Sequence, residues 1–420
     1  MKRLIAILCI LTLVYAMLPR AYAEDGQGRM WEEDTTEYED EMENVFSRDI
    51  ISAMTGTDSF VDKVAGPGEF DVPCKAAFLT EEKTGRILYG KNADEKLPMA
   101  SITKVMTMLL VIEALEEGKI TINDTVPVSA HAFSMGGSQI WLEPGEIFTV
   151  DEMMKAVAVS SANDAAVALA EYVGGSEEAF CDMMNRRAEE LGMTNTRFVN
   201  ACGLDAEGHY STARDIAVMA KELMKHNMIY DYTTIWMDYL RGGRTQLVNT
   251  NKLLRSYNGI TGLKTGTTSR AGVCICATAR RENMSLIAVV LGSDSSRERF
   301  SAARKLLDFG FANFETRQFP QFTIPQEIPV RLGVKKTVRT ECRIPTELLF
   351  AKGATSRLTC ETDLPESITA PMYKGMKIGT LTLYGSRGKI KDYDIFTAED
   401  APRMDFLRAL SILTKKTAAM

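Results

Sequence analysis

A serine and a lysine one helical turn apart open the most apolar helical run of the chain, in Pro98-Met99-Ala100-Ser101-Ile102-Thr103-Lys104. Residues three apart share one side of a helix, so the Lys104 amine can reach back to the Ser101 hydroxyl. Burial disfavours an ammonium and a neighbouring cation disfavours it further, so Lys104 could be neutral near pH 7 and take the serine proton. Backbone N–H groups at the helix N-terminus would favour the anion that develops on attack. Ser101 is thus the candidate nucleophile and Lys104 its base. The competing reading is a serine that caps a core helix and a lysine that snorkels outward. A second match, Ser386-Arg387-Gly388-Lys389, falls in a glycine-containing turn between strand-like runs, where no helix would hold the pair together.

Two more short motifs follow in order, Ser161-Ala162-Asn163 and Lys264-Thr265-Gly266, and each has a counterpart elsewhere in Ser256-Tyr257-Asn258 and Lys83-Thr84-Gly85. Ser161 and Asn163 end one element and start a helix running from Asp164 to Val173, where they either point into a cleft or cap the helix. Lys264-Thr-Gly266 precedes a strand around Val273 to Cys276; it is either a surface turn or an edge where Gly266 lets a substrate backbone approach closely. The three histidines, His131, His209 and His226, lie in no recognisable Ser-His-Asp context, so a lysine base fits better. No His and Cys cluster has zinc spacing, Cys274-Ile275-Cys276 falls in a strand-like run, and there is no glycine-rich phosphate loop. No metal and no nucleotide or other cofactor is expected.

The elements that must position these residues are legible in outline. The chain has 420 residues, 45% of them apolar and 25% charged, which suits a globular protein of two or more domains. A net charge of -7 argues against nucleic acid as a partner. Residues 1–23 have the form of a secretory signal peptide, with Lys2-Arg3, an apolar run from Leu4 to Leu18 and Ala21-Tyr22-Ala23. Residues 24–62 are rich in Glu and Asp and read as a flexible acidic linker. Ala76–Leu79 and Arg86–Tyr89 flank Glu82-Lys83-Thr84-Gly85 as a β-hairpin. Thr149 caps a helix entered through Asp151-Glu152. Further helices are broken at Gly174-Gly175 and Gly192, and another covers 211–230. Val273–Thr278 and Leu286–Leu291 read as adjacent buried strands, and Phe300–Phe311 as a closing helix.

Strands at both ends with a helical block between them predict a mixed α/β sheet flanked by helices over residues 63–318. Prolines then punctuate short alternating runs, predicting a small all-β domain over 319–398. Residues 399–420 hold an amphipathic helix, spanning 402–416, with a basic end that could lie on a membrane surface or dock on the β domain. Seven cysteines follow the leader, an odd number without a regular framework, although Cys342 and Cys360 could pair.

A Ser-x-x-Lys, a Ser-x-Asn and a Lys-Thr-Gly in this order form the signature of penicillin-binding proteins and class A β-lactamases. The chain resembles the low-molecular-weight penicillin-binding proteins that act as serine-type D-alanyl-D-alanine carboxypeptidases. The likeness runs from about Ala76 to the C-terminus. Beyond the three motifs it is carried by Met184-Asn185, Leu191-Gly-Met193, Phe198-Val-Asn200, Gly203-Leu204, Asn249-Thr-Asn251 and Val289-Val-Leu-Gly292. The resemblance implies a penicillin-binding, β-lactamase-like transpeptidase fold, with the β domain as a spacer and the last helix as a membrane anchor on the outer face of the cytoplasmic membrane. It also implies peptidoglycan stem peptides as substrates and β-lactams as covalent inhibitors.

By the same resemblance Ser101 attacks the carbonyl between two D-alanines with Lys104 as base, and Ser161 relays a proton to the leaving amine. Asn163 holds the substrate amide, Lys264 supplies positive potential, and Thr265 binds the terminal carboxylate beside Gly266. The backbone N–H groups of Ser101 and Thr267 form the oxyanion hole, and Arg299 matches a position facing the substrate carboxylate. Thr267 stands where many relatives have His or Tyr. A class A β-lactamase needs a glutamate for deacylation, and Thr194–Asn200, at the relevant distance, contains none. Carboxypeptidase and endopeptidase activity both cleave after D-alanine, and a binding protein that keeps the fold without turnover would not need intact Ser101, Lys104, Ser161 and Lys264.

Overall fold

Strand β1 (Ala76–Glu81) pairs antiparallel with β2 (Ile87–Lys91), as the hairpin reading expects, and enters a five-stranded antiparallel sheet of order β2-β1-β9-β8-β7. The other strands are β7 (Ile260–Thr268), β8 (Gly272–Arg281) and β9 (Met284–Ser293). The computed structural model describes residues 70–352, 358–385 and 388–405. The expected signal peptide and acidic linker, Ser386 and most of the expected terminal helix lie outside the described residues.

Central strand β9 is buried at every position, which requires a cover on both faces of the sheet. Alternation supplies two sets of side chains. Ala77, Leu79, Ile275, Ala277, Ala288 and Val290 share one core with Ala302, Leu306 and Leu307 of α8 (Ser296–Asn313). Phe78, of the opposite parity, lies under the Arg214 guanidinium of α6 (Ala213–Leu223). That helix stops short of the 211–230 range expected for it, because His226 is extended and is held by Glu116; α7 (Tyr230–Thr233) restarts as a separate turn.

Helix α1 (Lys104–Glu116) is the buried axis of the helical block, with every residue from Lys104 to Ile112 buried, in keeping with its apolar circumference. Against it pack α4 (Asn163–Gly174) and α5 (Glu177–Glu190), with α2 (Ala130–Phe133) and α3 (Val150–Lys155) packed on α4. The Thr149 cap forms as expected: its side chain accepts from Glu152 N while the Glu152 carboxylate accepts from Thr149 N. The small antiparallel pair β3 (Thr125–Pro127)/β4 (Ile147–Thr149), with α2 between its strands, and the hairpin β5 (Met237–Leu240)/β6 (Thr245–Val248) edge the block.

The remainder is all-β. Strand β10 (Phe314–Gln318) pairs with β13 (Glu347–Ala351), so the β-rich pairing starts ahead of Phe319, where the proline punctuation begins. A six-stranded sheet of order β14-β16-β17-β12-β11-β15 follows, from β11 (Glu327–Arg331), β12 (Thr337–Cys342), β14 (Thr359–Asp363), β15 (Ile368–Thr369), β16 (Lys377–Gly385) and β17 (Gly388–Thr397). Cys342 and Cys360 are free thiols, on strands β12 and β14 with β17 and β16 between them. The expected helix does not begin at residue 402: Ala401 and Arg403 form extended bridges to Met372 and Gly333, which ties this stretch to the β sheet.

Candidate active site

Ser101 sits in a turn of 3-10 helix (Ala100–Thr103) that leads into α1. Ala100 adopts a left-handed φ of 49°, and two glycines close on the turn. A Cβ on Gly203 (φ 87°) would overlap the Ala100 carbonyl, and one on Gly266 would lie 2.9 Å from both Ala100 Cβ and Ser101 N. Gly266 thus leaves room for the protein's own backbone at the nucleophile, a different neighbour from the substrate backbone expected there.

Lys104 is wholly buried, and its Nζ faces three acceptors: Ser101 Oγ at 2.9 Å, Asn163 Oδ1 at 2.6 Å and Cys202 O at 2.5 Å. Burial pushes its pKa down to about 8, against smaller opposing effects of Cys202 and Asp164. In the neutral amine, two N–H groups satisfy Asn163 and Cys202, and the lone pair is left for the Ser101 hydroxyl. That is the geometry of a base. The snorkelling alternative fails because no part of Lys104 reaches solvent.

Ser161 follows a π-helical turn (Ala156–Ser160) in a left-handed conformation, φ 61°, and is 4% exposed. Asn163 starts α4; its Nδ2 donates to Gly136 O at 2.6 Å, so both ends of its amide are engaged within the protein. The loop supplying Gly136 is pinned by Asp164, which accepts from Ile140 N and Leu142 N, and by Arg241, which donates to Ile140 O and Trp141 O.

Lys264, Thr265, Gly266 and Thr267 lie within edge strand β7 rather than in a turn before the next strand. Lys264 is 1% exposed, and its amine is held well below the ordinary lysine range by burial and then by the charges of Lys104 and Arg299. It donates to Thr265 O at 3.0 Å, and an ammonium there has two further N–H groups for a bound anion. Thr265 Oγ1 donates to Thr250 Oγ1 at 2.6 Å, and Thr267 Oγ1 to Gly266 O at 2.8 Å. Arg299 is buried behind this strand: Nη1 donates to Gly266 O (3.3 Å) and Cys274 O (3.2 Å), and burial lowers its pKa to about 10. It braces β7 from the protein side.

Several residues of the site lie outside the three short motifs. Cys202 and Gly203 belong to a turn in which Asn200 Oδ1 accepts from Gly203 N at 2.6 Å. The Asn-x-x-Gly spacing is a turn signal, and only the fold brings the turn to Lys104. Among the described residues, Glu113, Glu222 and His226 come close enough to suggest a metal site, but Arg187 donates to both carboxylates.

A serine hydroxyl against a wholly buried lysine amine, with a second buried lysine on which the charge of the first acts, is an arrangement suited to serine acyl transfer. The profile of the D-alanyl-D-alanine carboxypeptidase family matches residues 62–295, and that of the penicillin-binding protein 5 C-terminal domain matches residues 314–403. The chain is 44% identical over 341 residues to the D-alanyl-D-alanine carboxypeptidase DacF of Bacillus subtilis, covering 80% of this chain and 88% of that one. Penicillin-binding protein 5 from Haemophilus influenzae superposes with a TM-score of 0.70 at 30% identity, over 79% of this chain and 98% of the other. Penicillin-binding protein D2 from Listeria monocytogenes in its cefotaxime-bound form covers 58% of this chain and 98% of its own, at 32% identity and a TM-score of 0.53. The chain belongs to the D-alanyl-D-alanine carboxypeptidase family.

Proposed function

We propose that the protein removes the terminal D-alanine from peptidoglycan stem pentapeptides through an acyl-enzyme on Ser101. The observation that carries this reading is the set of three oxygens around the buried Lys104 amine: two accept the N–H groups of a neutral lysine, and the lone pair is left to accept the Ser101 hydroxyl proton. Lys104 takes the Ser101 proton as Oγ bonds to the carbonyl carbon, and the carbonyl electrons move onto oxygen. The Ser101 and Thr267 N–H groups hold that oxyanion. As the C–N bond breaks, the leaving amine of D-alanine receives a proton through Ser161. Water then attacks the ester and frees Ser101. Asn163 orients the substrate amide, and Lys264 with Thr265 and Gly266 receives the terminal carboxylate, with Arg299 behind the strand.

β-Lactams would acylate Ser101 in the same way, as the cefotaxime-bound relative suggests by analogy. The leader, the β-rich region and the terminal amphipathic run favour an exported protein held at the outer face of the cytoplasmic membrane. Among the described residues no helix is long and apolar enough to cross a membrane. Labelled penicillin followed by mass spectrometry tests the reading: wild type should keep covalent label for many minutes and Ser101→Ala should take none. Loss of label within seconds would favour a β-lactamase, and equal absence from both proteins would remove Ser101 as nucleophile.

A further inference from the structure

Behind the nucleophile runs a chain of hydrogen bonds whose donors can all be assigned. Val199 N–H donates to His209 Nδ1 at 3.0 Å. A ring nitrogen that accepts carries no proton, so in the neutral imidazole the proton is on Nε2. His209 Nε2 stands 2.7 Å from Thr103 Oγ1 and donates to it, and Thr103 Oγ1 donates to Ala100 O at 2.9 Å. Thr103 is wholly buried and His209 is 5% exposed, with the Phe198 ring edge-on at 6.1 Å. Burial pushes the His209 pKa down to about 4 against the weaker pull of Asp205, so the ring is neutral at working pH.

The end of this chain is what matters. Ala100 O and Ser101 N–H belong to one planar peptide, so fixing the carbonyl fixes the direction of the N–H on the opposite side. A donor on the carbonyl also polarises the peptide and strengthens its N–H. The left-handed Ala100 and the close approach of Gly203 restrict the peptide from its other sides. His209 reaches the partner segment too, since Val199 begins the loop whose Cys202 carbonyl receives Lys104.

We propose that His209 is a positioning residue: through the Thr103 hydroxyl it orients and polarises the Ala100–Ser101 peptide, so that the Ser101 N–H meets the oxyanion of the reaction. This rests on the reading of Ser101 as the acylated serine. His209 touches no substrate atom, and its effect falls on the step in which negative charge develops rather than on the first encounter.

The test separates those steps in the full chain. For a fluorescent penicillin, the dissociation constant of the non-covalent complex and the acylation rate constant are measured apart, together with affinity for a peptide boronic acid and a thermal melt. His209→Asn keeps a group at the level of Nδ1 but none at Nε2, whereas His209→Gln places an amide N–H near Nε2. His209→Asn should acylate on the order of 10- to 100-fold more slowly, with first-step binding within about twofold. Boronate affinity should fall in parallel, and His209→Gln should recover most of the loss. Thr103→Val should match His209→Asn, the double variant should be no worse than either, and Thr103→Ser should acylate like wild type. Wild-type acylation by His209→Asn, equal loss in the Asn and Gln variants, additive losses in the double variant, or a Thr103→Ser as slow as Thr103→Val would each overturn the proposal. If the His209 variants fail to fold, the Thr103 pair decides. Failure of wild type to label any more than Ser101→Ala would instead overturn the serine reading beneath it.

Discussion

The same three residues, Lys-Thr-Gly, occur in two places and do different things. Lys83-Thr84-Gly85 forms the turn between β1 and β2. Thr84 N and Oγ1 both donate to Glu81 Oε2 at 2.7 Å, Gly85 has φ 70°, and Lys83, 38% exposed, pairs with Glu347 of the β-rich region at 2.7 Å. Lys264-Thr265-Gly266 lies extended on β7, its lysine buried without a carboxylate partner among the described residues, its glycine against the Ser101 turn. The two lysines of the Ser-x-x-Lys matches divide likewise. Lys104 is buried and its pKa is depressed, whereas Lys389 is exposed, is held by Asp392 at 2.6 Å and is raised by that bond. A lysine becomes a base or an anion receptor through burial and neighbours, and the tripeptide alone supplies neither.

The largest effect that could break this contrast is at the base. Lys104→Met should slow acylation by labelled penicillin by roughly 10²- to 10⁴-fold, while Lys389→Met should acylate within about twofold of wild type. Comparable losses in both would mean that burial does not distinguish the two lysines. Next, Lys264→Ala should lower kcat/KM on a D-alanyl-D-alanine peptide by on the order of 10²-fold. Lys83→Ala should leave turnover unchanged and cost at most about 1 kcal/mol of stability, read from denaturant unfolding, because its ion pair is partly exposed.

The smallest effect sharpens the electrostatic side. With Lys104 lowered from the ordinary 10.5 to about 8, the ammonium below that pH cannot accept a proton, so the acylation rate should rise with pH and be half-maximal near pH 8. The linked stability has the same sign. Between about pH 8 and 10.5 the unfolded chain binds the Lys104 proton that the folded chain has released, so stability rises with pH over that window. Melting curves of Lys104→Met should rise less over the same window than those of wild type.

Local regularities carried the readable part of the molecule. The Thr149 and Glu152 capping box, the β1/β2 hairpin and the β8/β9 pair each follow from the spacing of residues near one another in the chain, and the Ser101–Lys104 contact spans one helical turn. What spacing could not supply was the remote half of each interaction. Asn163 was readable as a site residue, yet its role as an acceptor for Lys104 depends on α4 packing beside α1. Cys202 acts through a backbone carbonyl, which every residue type possesses, so its side chain gives no clue. His209 lies outside any triad pattern because it serves through a threonine and a peptide, and the Arg299 Nη1 bonds to carbonyls of β7 and β8 depend on α8 packing behind the sheet, which no local spacing shows. The Gly266 contact has the same cause: a strand edge and a helical turn meet only after the sheet has closed.

The convergence on Lys104 also sets an order of events in time. Its amine gathers Asn163 from 59 residues away and Cys202 from 98 residues away, so the base exists only once two long chain loops have closed. Such closures carry an entropic cost and come late relative to local turns and helices. On the proposed role of Ser101, its reactivity would be among the last properties the folding chain acquires and among the first that partial unfolding removes. A covalent penicillin label on Ser101 would then count finished molecules, not merely synthesised ones.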